Sequence, residues 1–270
     1  MTYLLVNADD FGYARDVNAG IVEAYRNGIL RSTTLMATGG AFKDAVRLAA
    51  ENPGLDIGCH LVLIEGMDLP RTHAEMIRAV ATRRVDPYAV FKTQIERILA
   101  AGIKPTHLDT HKHAHLFPPV LKAVACLADE FDIRWVRRPF DLPLEYHTTR
   151  EKSLFMRFAG LMKPYFDSVL RRNGCLATDH FFGYAITGRF SVASISSLLK
   201  SLPEGSVEFM CHPGHCTSEL RSMQTRLKES RAQELAVLTS PEIREAISRA
   251  DIKLVNYQEL CALTSSSPSS

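Results

Sequence analysis

Between Thr106 and His115 the chain reads Thr-His-Leu-Asp-Thr-His-Lys-His-Ala-His, which gathers four of the ten histidines and one aspartate at alternate positions. In an extended chain, alternation sends all five of these side chains to one face. At about 3.3 Å per residue His107 and His115 would then stand roughly 26 Å apart, so one metal ion cannot collect them all. Two or three of the five form the functional group. Asp109 and His111 lie where the apolar run Ile103 to Leu108 ends, and Pro118 then opens a helical pattern. They therefore belong to a strand end and the loop after it. Histidine is both the proton carrier of neutral pH and the commonest metal ligand. The cluster points to a metal or acid/base site; the competing reading is a polar loop of solvated imidazoles.

Other residues with chemistry to offer also sit where apolar runs stop. Asp9 and Asp10 follow Tyr3 to Val6, and adjacent carboxylates at a strand end let one hold a metal while the other moves a proton; a helix N-cap is the alternative. His60 lies within an apolar strand, as a ligand or as a core histidine. Arg137 and Arg138 close a fifth apolar run, and His212 stands in Met-Cys-His-Pro-Gly, where a strand becomes a loop, with His215 incidental. One aspartate and two histidines on three strands make an open site suited to Zn, Fe, Mn or Mg. Such an ion polarises a carbonyl oxygen and acidifies water, so hydrolysis of an amide or ester is the natural reaction class.

The elements that must position these residues follow from periodicity. Strands are expected at Tyr3 to Val6, Leu30 to Thr38, Leu55 to Leu63, Ile103 to Asp109, Ile133 to Arg138, near His180 to Ala185, Ser206 to Cys211 and Ile252 to Val255. Helical patterns separate them: Val17 to Gly28, Ala41 to Glu51, His73 to Arg84, Tyr88 to Ala101, a helix from Pro118, Arg150 to Arg172 with Pro164 kinking or dividing it, Ser191 to Ser201, Leu227 to Leu238 and Glu242 to Arg249. Seven or eight alternations without a linker predict a parallel α/β fold, a single (β/α) barrel-like domain over residues 1–263, followed by a disordered Ser-rich tail over 264–270. An open doubly wound sheet is the alternative, but Asp-Asp-Phe-Gly replaces any Gly-rich dinucleotide fingerprint after the first strand. In a barrel the carboxyl ends of the strands share one mouth, and Asp9, Asp10, His60, Asp109, His111, Arg137 and His212 all fall at such ends.

Composition narrows the partner. The 270 residues carry 32 Lys plus Arg against 30 Asp plus Glu, a balance that excludes a nucleic-acid footprint and favours a small, roughly neutral substrate. Six cysteines without a Cys-x-x-Cys pair read as free thiols in a reducing cytoplasm. The opening residues lack a basic segment and carry only a short apolar run, so neither a signal peptide nor a membrane span is expected. A homodimer is compatible with all of this.

Four ordered motifs, Leu5 to Gly12, Gly28 to Thr34, Gly58 to Leu61 and Thr106 to His115, resemble the YdjC-like carbohydrate deacetylases, the family containing chitooligosaccharide deacetylase. The resemblance continues in Val136 to Pro139, Asp179 to Gly183 and Cys211 to Gly214. It implies a barrel-like α/β fold and removal of acetyl groups from N-acetylated sugars with one divalent ion, Mg2+ or Zn2+. Carried over by position, the metal set is Asp10, His60 and His111, with Asp9 the base. By analogy to the wider polysaccharide deacetylases, His212 is the acid and Arg137 orients Asp9. Asp109, His113 and His115 are expected to meet substrate. The segment Glu65 to Tyr88 is more compact than the corresponding loop of the family, which bears on substrate choice. The central and C-terminal portions resemble members tied to hopanoid lipid biosynthesis, where the substrate would be a glycolipid. Two rivals are a metal-dependent amidohydrolase acting on a non-sugar amide, suggested by His113-x-His115, and a catalytically inactive sugar-binding protein.

Overall fold

The first strand sets the frame. In the computed structural model, which describes residues 1–66, 68–143 and 150–265, β1 (Thr2–Phe11) carries Leu5, Asn7 and Asp9 on one face by simple alternation. That face turns inward and grades from apolar to charged. Leu5 packs with Trp135, Val255, Tyr257 and Leu260 in a small cluster of its own, Asn7 bonds a buried histidine, and Asp9 pairs with a buried arginine. The opposite face, with Leu4, Val6 and Ala8, joins the main core beneath the surrounding helices.

The remaining elements follow as α1 (Arg15–Asn27), β2 (Ser32–Leu35), α2 (Phe42–Ala50), β3 (Asp56–Leu61), α3 (His73–Ala81), α4 (Pro87–Ala100), β4 (His107–Thr110), a 3-10 segment (His111–Leu116), α5 (Pro118–Glu130) and β5 (Trp135–Val136). Then come α6 (Arg150–Arg172), β6 (His180–Phe182), α7 (Val192–Lys200), β7 (Gly205–Cys211), α8 (Ser218–Ser222), α9 (Glu229–Leu238), α10 (Pro241–Arg249), β8 (Ile252–Val255) and α11 (Tyr257–Ser265). The helices bury the stripes their periodicity predicts: Val17, Ile21 and Ala24 in α1, and Leu121, Val124 and Leu127 in α5.

All strand pairings are parallel, in the order β5-β4-β3-β2-β1-β7-β6. The sheet curls, and its two edges are joined by isolated bridges between Trp135 and Leu176 and between Asp141 and Phe181. The eighth strand does not complete the circle. It pairs with Thr2 to Leu5 of β1, on the edge whose upper part, Asn7 to Phe11, pairs with β2. The fold is thus the expected barrel-like α/β domain, with seven strands around and β8 flanking the lower half of β1.

Boundaries differ where polar residues are buried. β1 runs to Phe11 rather than stopping at Val6, because Asn7, Asp9 and Asp10 find buried partners instead of solvent. β4 begins only at His107, and α6 continues through Pro164 as one helix. α11 extends to Ser265, while residues 144–149 and residues 266–270 of the Ser-rich tail lie outside the described residues. Cys59, Cys126, Cys175, Cys211 and Cys216 are free thiols. Among the described residues no helix is long and apolar enough to cross a membrane.

Candidate active site

At the carboxyl end of β1 the pairing register with β2 shifts between Ala8 and Phe11, and Asp10 takes a left-handed φ of 72°. A bulge of this kind re-aims side chains. Here both adjacent carboxylates face inward, where strict alternation would have sent one of them away. Asp9 and Asp10 are each 3 % exposed.

His60 and Asp109 are direct partners in the β3–β4 register, and His60 Nδ1 lies 2.7 Å from Asp109 Oδ1. A carboxylate accepts, so Nδ1 carries the proton and Nε2 is turned to the cavity with its lone pair. Thr34 Oγ1 donates to the other oxygen of Asp109 at 3.2 Å. His60 Nε2 then stands 3.4 Å from Asp10 Oδ1 and 3.3 Å from His111 Nδ1, and His111 Nδ1 is 3.3 Å from Asp10 Oδ1. These three atoms form a nearly equilateral triangle. Ligands at about 2.0–2.2 Å from a tetrahedral zinc are separated by about 3.3–3.6 Å. Asp10 Oδ1 is buried without a hydrogen-bond partner, because Arg231 Nη2 holds the other oxygen at 2.5 Å. Each imidazole also has a carboxylate behind it, the arrangement that orients metal-binding histidines: Asp109 for His60, and Glu65, whose Oε2 is 3.6 Å from His111 Nε2, for His111. The donor set fits a divalent cation held by Asp10, His60 and His111.

The electrostatics agree. Burial alone would raise the Asp10 carboxyl, but Arg231 and the two histidines outweigh it and hold it well below the usual range. Burial pulls His60 down, yet Asp109 and Asp10 prevail and bring the ring up to about 10. Asp10 and Glu65 likewise raise the His111 ring against the pull of burial, and a cation held here would compete with protons for these nitrogens.

Arg137, just after β5 and 1 % exposed, ties the interior together. Its Nη1 and Nη2 grip Asp9 at 2.7 Å each, Nη1 lies 2.5 Å from Asp109, and Nε donates to Glu208 at 2.7 Å. Below it, His107 Nε2 lies 3.0 Å from Asn7 Oδ1, and its ring stacks on Tyr257 at 3.8 Å. A Cβ on Gly58 would stand 2.5 Å from that ring, so only glycine leaves it room. On the other side of Asp9, His212 Nε2 is 3.9 Å from Oδ2. The Pro-Gly that follows lets α1 approach: a Cβ on Gly20 would be 2.4 Å from Gly214 Cα. This close packing fixes the His212 loop against the helix that follows the aspartates.

A cavity of about 610 Å3 opens above these groups, lined among others by Asp9, Asp10, His60, His111, His113 and His212. Asp109 and His115, expected to meet substrate, do not reach it. Both are fully buried. Asp109 is spent on His60 and Arg137, and His115 bridges Thr110 Oγ1 at 2.5 Å and the Arg137 carbonyl at 2.9 Å. For His115 the reason is local: the alternation ends at Thr110, where the chain winds into the 3-10 segment with Lys112 and His113 left-handed. His113 does face the cavity, edge-on to Tyr184 and with its Nδ1 unpartnered. His113 and His115 form no ligand group among the described residues, so the amidohydrolase signature suggested by their spacing loses its basis. Arg231, Glu234, Glu208 and Glu65 are absent from the sequence-based set. For the first two a signal existed: Leu227, Arg231, Glu234 and Leu238 share one helical face, so two charges interrupt an inward stripe.

Comparison with known proteins places this geometry in company. Residues 3–249 match the family model described as YdjC-like protein. The chain is 34 % identical to a carbohydrate deacetylase of Brevibacillus brevis, covering 95 % of this chain and 99 % of that one. It is also 34 % identical to a carbohydrate deacetylase of Geobacillus stearothermophilus, over 97 % and 99 %. Among solved structures, an Enterococcus faecalis protein described as a candidate cellobiose-phosphate cleavage protein superposes with a TM-score of 0.73 at 26 % identity, covering 96 % of this chain and 98 % of that chain.

Proposed function

The chain belongs to the YdjC-like protein family, and from that premise we propose that it is a carbohydrate deacetylase, a hydrolase that removes the acetyl group from an N-acetylated sugar with the help of one divalent ion. The names of its relatives support the substrate class. The observation that carries the rest is the unpartnered Asp10 Oδ1 set 3.3–3.4 Å from two imidazole nitrogens. Two nitrogen donors and one oxygen favour Zn2+ over Mg2+, which prefers oxygen ligands throughout. We read residues 1–263 as one catalytic unit.

Held by Asp10, His60 and His111, the ion would supply Lewis-acid polarisation of the acetyl carbonyl and ease the ionisation of water. The protein's own residues divide the proton work. Asp9, fixed by the Arg137 fork and by Asn7 at 3.2 Å, takes a proton from the attacking water. As the C–N bond breaks and its electron pair passes to nitrogen, His212 delivers a proton there. The products are acetate and a free amine. His113, Tyr184 and Thr187 line the cavity where sugar hydroxyls would lie.

The test is acetate release by zinc-loaded protein from N-acetylglucosamine, its oligomers and a lipid-linked N-acetylglucosamine. Release from at least one of them, abolished by a chelator, is the expected result. No release from any of them, with turnover of a non-sugar amide instead, would replace the sugar substrate in this reading.

A further inference from the structure

Glu234 has no role in the chemistry above, yet it is fully buried one helical turn from Arg231. We propose that Glu234 is the positioning residue of His212: it anchors the strand end that bears this histidine and faces the ring nitrogen turned away from the cavity, so the imidazolium form has a carboxylate on each side. The inference rests on His212 as proton donor.

The anchoring is direct. Glu234 Oε2 accepts the His212 backbone N–H at 2.6 Å, and Oε1 accepts the Gly188 backbone N–H at 2.8 Å. One carboxylate thereby clamps the loop after β7 to the turn after β6. The ring geometry adds a second, independent observation. His212 Nδ1 is buried with no hydrogen-bond partner, and it stands 4.0 Å from Glu234 Oε2, while Nε2 is 3.9 Å from Asp9 Oδ2. Among the described residues, Glu234 and Asp9 are the carboxylates within ion-pair reach of this ring. Arg231, Asp10, His60 and His113 also act on the ring, and Arg231 and Lys152 on the Glu234 carboxylate. Ring movement of about an ångström brings Nδ1–H to hydrogen-bonding distance of Glu234. Burial pushes the Glu234 carboxyl up to about 7 and the His212 ring down to about 4, so the imidazolium form needs the carboxylates that flank it.

In the reaction, Nε2–H of His212 gives its proton to the departing nitrogen, and the ring becomes neutral. Water's oxygen joins the acetyl carbon, and Asp9 receives the proton that water sheds. Glu234 exchanges no atom with substrate; it stabilises the charged ring before transfer.

A purely structural clamp predicts different behaviour, and two comparisons separate them. The zinc-loaded full chain and its variants E234Q, E234D, H212A and E234Q/H212A are assayed on an N-acetylated sugar and on an aryl acetate, whose phenolate leaves without protonation. E234Q should lower kcat on the amide by on the order of a hundredfold with KM little changed, and at least tenfold less on the aryl acetate. In the H212A background the same change should cost less than about threefold, since both act through one step. E234D should recover part of the loss, and it carries the same comparisons if E234Q does not fold. Equal losses on both substrates, or an undiminished loss in the H212A background, would reduce Glu234 to a clamp. A wild type that cleaves the aryl acetate but no N-acetylated sugar would overturn the deacetylase reading itself, and this inference with it.

Discussion

Replacing Arg137 by Lys keeps a positive charge at the centre of the barrel and removes only the fork. The guanidinium makes four close contacts with three carboxylates: two with Asp9, one with Asp109 and one with Glu208. An ammonium presents its donors from a single point and cannot span three directions, so two of the four contacts should survive. A hydrogen bond to a charged group contributes about 1.5–3 kcal/mol, which puts the loss at about 3–6 kcal/mol. Protonation of Glu208, whose carboxyl burial already pushes up to about 7, relieves part of the exposed charge and favours the lower end, about 3 kcal/mol. For a chain of this size that is a fall in Tm of roughly 6–12 °C. Zinc binding should persist, since Asp10, His60 and His111 do not touch Arg137. Acetate release should fall about a hundredfold, because Asp9 loses its two-point grip. Urea unfolding followed by circular dichroism, zinc content and acetate release check the three parts. Stability within about 1 kcal/mol of wild type, or unchanged turnover, would refute the claim that the fork organises Asp9.

Asp109→Asn should weaken zinc binding about 10- to 100-fold while leaving the chain folded, because it removes the carboxylate behind His60; competition with a chromogenic chelator reads this, and unchanged affinity would remove Asp109 from the ligand-orienting role. His115 gives a pH prediction. Burial, opposed by its bond to the Arg137 carbonyl, brings its ring down to about 4, against about 6.5 when unfolded. The unfolded chain thus binds the proton more readily, and about 3 kcal/mol of stability present above pH 6.5 is lost as pH falls towards 4. His115→Gln should flatten the stability profile across that window, and an unaltered slope would contradict the neutral buried ring. His113→Ala should raise KM several-fold with zinc content unchanged, since His113 lines the cavity but is not a ligand; a loss of zinc would place it in the metal site instead.

Much of this site could be read from the chain because its residues sit at strand ends. Asp9, Asp10, His111, Arg137 and His212 fall where apolar runs stop and His60 lies within one, and barrel topology converges the carboxyl ends of the strands on one mouth. The limits of that reading have equally physical sources. Of the residues expected to meet substrate, Asp109 goes instead to His60 and Arg137, partners distant in sequence, and His115 turns inward because nothing local announces the left-handed pair Lys112 and His113 that breaks the strand. The polar run Asn7 to Asp10 reads as a loop, and it becomes strand only because Arg137 and Arg231, distant in sequence, neutralise it. Arg231 and Glu234 look like ordinary surface charges until their place on the inward face of α9 is noticed. Glu65 belongs to a loop without periodicity, and only the fold brings it behind His111.

The central claim is that Asp10, His60 and His111 share one ion. An anomalous difference map from zinc-soaked crystals tests it most directly. A single strong peak at about 2.0–2.2 Å from Asp10 Oδ1, His60 Nε2 and His111 Nδ1 is the predicted result; a peak on His113 or His115, or no peak at the triad, would contradict it.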